Sequence, residues 1–179
     1  MAGATPCPDF DVRTMLGHLL VVLDRVALLG EGSDPMTLPT AHTGIGDDAW
    51  EAEWLARAHR VQTAWSDPSR LTAMMTLPWV TAPGAALLAM YTSELTVHTW
   101  DLATATGQQP AWRDDVVQVA LDAALQALAP GDREAGFEAM RQRLPAQLSA
   151  NFPPFKNAVE IADSAPLIDR LIAWYGRQP

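Results

Sequence analysis

The stretch SELTVHTWDLATATG, residues 93–107, sets Glu94 and His98 one helical turn apart in sequence otherwise suited to a protein core. Carboxylate oxygen and imidazole nitrogen are donor types that hold divalent metal ions. At roughly 100° per residue the two lie about 40° apart on a helix, and Leu87, Tyr91, Leu102 and Ala105 share their side. Both therefore point inward. A buried carboxylate without a partner costs several kcal/mol or takes up a proton, so something must answer Glu94. Two answers are open: a metal ion, or a protonated His98 with hydrogen bonds to its neighbours.

A second imidazole comes from another helix. His18 sits inside an apolar run, with Met15, Val21 and Val22 around it at helical spacing. Two imidazole nitrogens and one carboxylate oxygen suit Zn²⁺, and three protein ligands leave a position for water or substrate. The same set suits Ni²⁺, Co²⁺ and Fe²⁺. Asp101 lies about 20° from Glu94 on the helical wheel and is a candidate to orient His98 through a hydrogen bond; an exposed helix-end carboxylate is the other reading. E-x-x-x-H also occurs on many solvated helices, so a structural ion pair with no metal fits the pattern as well. No Ser or Lys stands beside a base, and no catalytic residue is assigned. A non-catalytic metal-binding or interaction module is the rival to an enzyme.

The remaining candidates fall outside this site. His42 lies in a Gly- and Pro-rich crossover where exposure is expected, and His59 falls off the tryptophan stripe of its helix. Cys7 precedes the first helix and is placed to reach the same end of the bundle, although a buried thiol acting as a small hydrophobe is the favoured reading. Trp50, Trp54 and Trp65 have the spacing of a packing seam or an association surface.

These residues need helices to hold them. Asp11 is placed to cap a first helix reaching about Leu29, with Gly30 as its stop. A loop, EGSDPMTLPTAHTGIG, leads to a second helix from Asp47 or Asp48 to about Trp65. Between Ser66 and Pro83 the helical period fails, and MMTLPWVTAP reads as an extended or hairpin-like connection. The third helix runs from about Gly84 to Thr106 and ends at Gly107, where a left-handed residue belongs. The fourth starts near Pro110, with Val116, Val119, Ala120, Ala123, Ala127 and Leu128 as its stripe. A short helix near Glu134 to Leu144, a proline-bearing stretch NFPPFKNAVEIA and a final helix from Ser164 follow. The pattern suits an all-α four-helix bundle with long crossover connections and a small C-terminal appendage ending in a helix.

Bulk properties agree with one domain over residues 1–179. The chain is 49% hydrophobic and 18% charged, with seven tryptophans, which favours helices around a substantial apolar interior. A formal charge of −9 is the wrong sign for binding a phosphate backbone, so nucleic acid is excluded as a partner. No apolar run approaches the ~20 residues that span a bilayer, and the N-terminal residues lack a signal-peptide pattern; a cytoplasmic protein without a membrane partner is expected. A single cysteine excludes an internal disulfide and a Cys-based zinc finger.

Three segments, CPDFDVRTMLGHL, LPWVTAPGAALLAMYTSELTVHTWDLATATGQ and APLIDRLIAWYGRQP, resemble actinobacterial metal-binding proteins related to mycothiol-dependent maleylpyruvate isomerase, in the DinB/YfiT-like superfamily of four-helix bundles. VHTWDLATATG is the most specific part, close to the family's usual vHgWDLArAtG. The resemblance implies a divalent metal, usually zinc, on a His of the opening helix and a Glu-x-x-x-His of the third, which are His18, Glu94 and His98 here. It also implies a small-molecule thiol such as mycothiol at the open metal position, and an electrophilic substrate for a thiol-dependent transferase or isomerase. Homodimers are common in the superfamily, and the residues leave the oligomeric state open. The isomerase has a further C-terminal domain, so the resemblance implies the metal site more directly than maleylpyruvate isomerisation itself.

Overall fold

In a computed structural model of the chain, residues 3–142 and 156–179 are described. The element order is α1 (Val12–Glu31), a 3₁₀ turn (Pro35–Thr37), α2 (Trp50–Ala64), α3 (Ser69–Thr72), β1 (Met74–Leu77), β2 (Val80–Pro83), α4 (Gly84–Thr106), α5 (Asp114–Ala127), α6 (Arg133–Arg141) and α7 (Leu167–Trp174). The protein is mostly helical with one small two-stranded sheet. It divides into two compact units, Met1–Ala111 and Trp112–Pro179. Among the described residues no helix is long and apolar enough to cross a membrane.

In the first unit, Asp11 caps α1 as its spacing predicts, its carboxylate accepting from the Thr14 N–H at 2.7 Å. The expected stop at Gly30 is corrected: α1 runs on to Glu31, and Gly32, with φ +80°, closes it by donating to the carbonyls of Leu28 and Leu29. Gly30 has another purpose. A Cβ there would meet the indole of Trp65, whose Nε1 donates to the Val26 carbonyl at 2.9 Å. The glycine lets α2 approach α1.

The tryptophan stripe of α2 marks its docking face except at Trp54: Trp50, Ala58, Val61 and Trp65 are partly buried, and Val61 and Trp65 pack on the core. Trp54 is 38% exposed, and no residue of α2 is fully buried. The helix is tied to α1 largely by charge: Arg57 and Arg60 reach Asp24, and Arg60 pairs with Glu31 at 2.8 Å. The connection after α2 contains the hairpin expected from its prolines, β1 and β2 pairing antiparallel from Met74↔Pro83 to Leu77↔Val80, preceded by the helical turn α3. Helix α4 has the bounds its punctuation gives, Gly84 to the left-handed Gly107 at φ +68°. Val22, Val26 and Leu29 of α1, Leu77 of β1, and Leu87 and Tyr91 of α4 form one buried cluster, with Val61 and Trp65 packed against it. Burying such side chains, at about 1.5–3 kcal/mol each, is what fixes α1 against α4.

In the second unit, α5 begins later than Pro110. Asp114 and Asp115 take its first turn, where carboxylates complement the helix dipole. Its buried face is also shifted from the expected stripe: Val117, Ala120, Leu121, Ala124 and Leu128 are buried, whereas Val116 and Val119 are exposed. The shifted face is the one that meets α7, through the buried Leu171 and Ile172 and a hydrogen bond from Trp174 Nε1 to the Ala124 carbonyl at 3.0 Å. The end of the helix expected over 134–144 and the prolines of NFPPF lie outside the described residues. The last helix starts at Leu167 rather than Ser164, after Pro166 in an extended conformation.

Candidate metal centre

The packing of α1 on α4 brings His18 together with Glu94 and His98. One ring nitrogen of each histidine and a carboxylate oxygen of Glu94 lie within 4.8 Å of one another. The imidazoles meet edge to face with centroids 5.0 Å apart. His18 is only 5% exposed, and His98 and Glu94 are partly buried.

Each histidine is held by its Nδ1. In His18 this nitrogen lies 2.8 Å from the Thr40 carbonyl oxygen, and in His98 it lies 3.0 Å from Asp101 Oδ2. A carbonyl and a carboxylate accept hydrogen bonds, so Nδ1 carries the proton and donates in both rings. The far nitrogen, Nε2, is then the free position. His18 Nε2 is buried, lies 3.4 Å from Glu94 Oε1, and among the described residues has no hydrogen-bond partner. A lone pair facing a carboxylate at that range is repulsive. It becomes favourable if a cation sits between the two groups or if the ring takes a second proton, and the donor set fits a divalent ion. Carbonyl and carboxylate bonds to the outer nitrogen are the usual means of orienting a metal-binding histidine.

Asp101 is not the exposed helix-end carboxylate that its position also allowed. It is 0% exposed and lies beneath His98. The Glu94 carboxyl lies below its ordinary range: burial pushes it up, but the positive charge that His18, His98 and Arg25 can bring against it outweighs burial. Tyr91, one turn before Glu94, is driven the other way by burial and by the Glu94 charge, so its phenol stays protonated.

Several contributors were not legible as such. Phe10 stacks on His18 with centroids 4.7 Å apart and meets His98 edge-on at 6.2 Å. Its turn is fixed by Thr5 Oγ1, which donates to the carbonyls of Cys7 and Phe10. The same turn brings Cys7, partly buried, beside His98 and Asp101, so that one ligand-type atom of each lies within 4.8 Å of the others. His42 is not a freely exposed loop residue: its Nε2 lies 2.8 Å from Asp24 Oδ2. A signal for this pair existed in the apolar run LLVVLDRVALL, where a lone carboxylate demands a partner. His59 is exposed and takes no part in the site.

Comparison with known proteins gives the family of the chain. Residues 1–103 match the family described as Mycothiol maleylpyruvate isomerase N-terminal domain, and the chain belongs to that family. It is similar, at 25% identity over 177 residues, to two uncharacterized proteins of Mycobacterium tuberculosis, MT0763 of strain CDC 1551 / Oshkosh and Rv0738 of strain ATCC 25618 / H37Rv. Each alignment covers 99% of this chain and 85% of the relative. No solved structure matches the chain.

Proposed function

We propose that this protein binds a divalent metal, zinc by the chemistry of its donors, through His18, Glu94 and His98, and that it acts as a thiol-dependent transferase or isomerase of the DinB-like four-helix type, with mycothiol as the thiol. The observation that carries the reading is the buried His18 Nε2, which has no hydrogen-bond partner among the described residues and faces the Glu94 carboxyl at 3.4 Å. Membership of a family named for a mycothiol-using isomerase supports the choice of thiol.

The chain's own residues set the conditions for that chemistry. Thr40 and Asp101 keep the Nδ1 protons in place, so the opposite nitrogens present lone pairs. Glu94 supplies one negative charge, which leaves a divalent site with net positive charge for an anionic ligand. Phe10 covers the His18 ring and excludes water from that side. A bound zinc ion lowers the pKa of a coordinated thiol or water and yields a nucleophile at neutral pH. Tyr91 remains a protonated phenol beside Glu94, available as a donor but not as a base.

The test is a screen of the zinc-loaded protein for transfer of mycothiol to electrophilic acceptors. The reading expects turnover that saturates with thiol and is lost in Glu94→Ala. Stoichiometric zinc with no turnover on any acceptor would leave a non-catalytic metal-binding module. The 3.4 Å separation of His18 Nε2 and Glu94 Oε1 also favours a metal-free ion pair. That reading would be preferred if chelator left thermal stability unchanged.

A further inference from the structure

We propose that Asp24 is a positioning residue for His18, acting through His42 and the backbone of the α1–α2 crossover. The inference rests on the reading of His18 as a metal ligand. Asp24 is 8% exposed in the apolar middle of α1, where an unpaired carboxylate is strongly destabilising. Arg57 Nε at 2.9 Å and Arg60 Nη1 at 3.3 Å answer its charge from α2. Each is shared with a second carboxylate, Arg57 with Glu53 and Arg60 with Glu31. The third partner, His42 Nε2 at 2.8 Å, comes instead from the crossover.

His42 is docked on α1 at a second point. Its backbone N–H donates to the Gly17 carbonyl at 3.1 Å, and its own carbonyl oxygen occupies the space that a Cβ on residue 17 would need. Gly17 directly precedes His18. Two residues before His42, the Thr40 carbonyl takes the proton of His18 Nδ1. The crossover thus touches α1 at Gly17, His18 and Asp24, besides the hydrogen bonds of Arg13 to the Ile45 carbonyl and of Arg25 to the Pro39 carbonyl, and the Asp24 contact lies nearly two turns beyond the ligand.

Helix pairing alone does not call for this arrangement. Helices α1 and α2 are already joined by Arg60 with Glu31 and by Trp65 with the Val26 carbonyl. The Asp24–His42 bond adds an anchor for a loop, and that loop carries the carbonyl that fixes the His18 tautomer. Crossover loops without such anchors open readily, and a histidine whose outer nitrogen loses its acceptor turns more freely and binds metal less well.

The test compares His42→Ala, His42→Gln and Asp24→Asn with the unaltered protein. Glutamine keeps an N–H donor near the place of Nε2 and should rescue what alanine loses. Zinc affinity is read by competition with a chromophoric chelator, and the His18 ring by long-range ¹H–¹⁵N NMR of the metal-free protein. His42→Ala and Asp24→Asn should weaken zinc binding by about 10- to 100-fold, with His42→Gln close to the unaltered protein. His18 should show a defined Nδ1–H tautomer in the unaltered protein and in His42→Gln, and tautomer averaging in the other two. Circular dichroism and metal-free melting temperature identify a variant that has simply unfolded. Unaltered zinc affinity and an unaltered His18 spectrum in folded His42→Ala and Asp24→Asn would overturn the proposal. If the unaltered protein takes up no zinc, the metal reading fails, and the His18 spectrum still decides whether Asp24 positions the ring.

Discussion

At the scale of single residues, Glu94 decides between the readings of the site because its ionisation is set by what faces it. Burial opposes the charge, and His18, His98 and Arg25 overcome that opposition, so the folded carboxyl lies below its ordinary value of 4.5. A carboxyl held low in the folded state contributes stability at pH above its unfolded value, and this contribution disappears as pH falls through the folded one. Metal-free protein should therefore lose unfolding free energy as pH falls through and below the ordinary carboxyl range, and Glu94→Gln should lose less over the same fall in urea titrations. Asp101 acts one step away. Asp101→Asn, which cannot be relied on to accept the His98 proton, should weaken zinc binding by about 10- to 100-fold in a chelator competition, with the helix content kept. Glu94, His98 and His18 were legible in the sequence because helical period places each on an apolar face. Thr40, Phe10 and His42 as the partner of Asp24 were not, although the lone carboxylate in LLVVLDRVALL signals that Asp24 needs a partner, because each contact joins residues outside one helical repeat, and no local pattern encodes where a loop carbonyl or a stacked ring will land.

At the scale of elements, glycines show how far local signals reach. Gly107 ends α4 where a left-handed residue was expected, since nothing in the surroundings competes with that signal. Gly30 carried the same signal and was overridden: the chain stays helical there because the missing Cβ makes room for Trp65, and Gly32 provides the left-handed cap. The two roles predict different responses. Gly32→Ala should cost about 1 kcal/mol by forcing a side chain into left-handed geometry. Gly30→Ala replaces glycine by a better helix former, yet should destabilise by about 1–3 kcal/mol because the new methyl meets the indole. Denaturant unfolding of both variants checks this; a stabilised Gly30→Ala would remove the close-approach explanation. The stripe of α5 was misjudged by one position for a similar reason. Its helical periodicity admits two adjacent faces, and only the packing of Leu171, Ile172 and Trp174 selects the one through Val117 and Leu121.

At the scale of the whole molecule, mostly helical architecture followed from composition and apolar periodicity, and the family followed from the segments around Glu94 and His98. A charge of −9 and the proposed divalent-metal site would make different demands on a ligand, so on that reading small anionic thiols and electrophiles fit better than polyanions. If the site binds metal only in the folded chain, binding must raise stability by mass action, by about 2.7 kcal/mol at a free concentration of about 100 times Kd. Zinc should then raise the melting temperature of chelator-treated protein, and chelator should lower it again. The most direct test is the metal content of purified protein at equilibrium with zinc, measured for the unaltered chain and for His18→Ala and His98→Ala. About one zinc per chain is expected, lost in both variants. Absence of zinc from the unaltered protein, or its full retention in both variants, would contradict it.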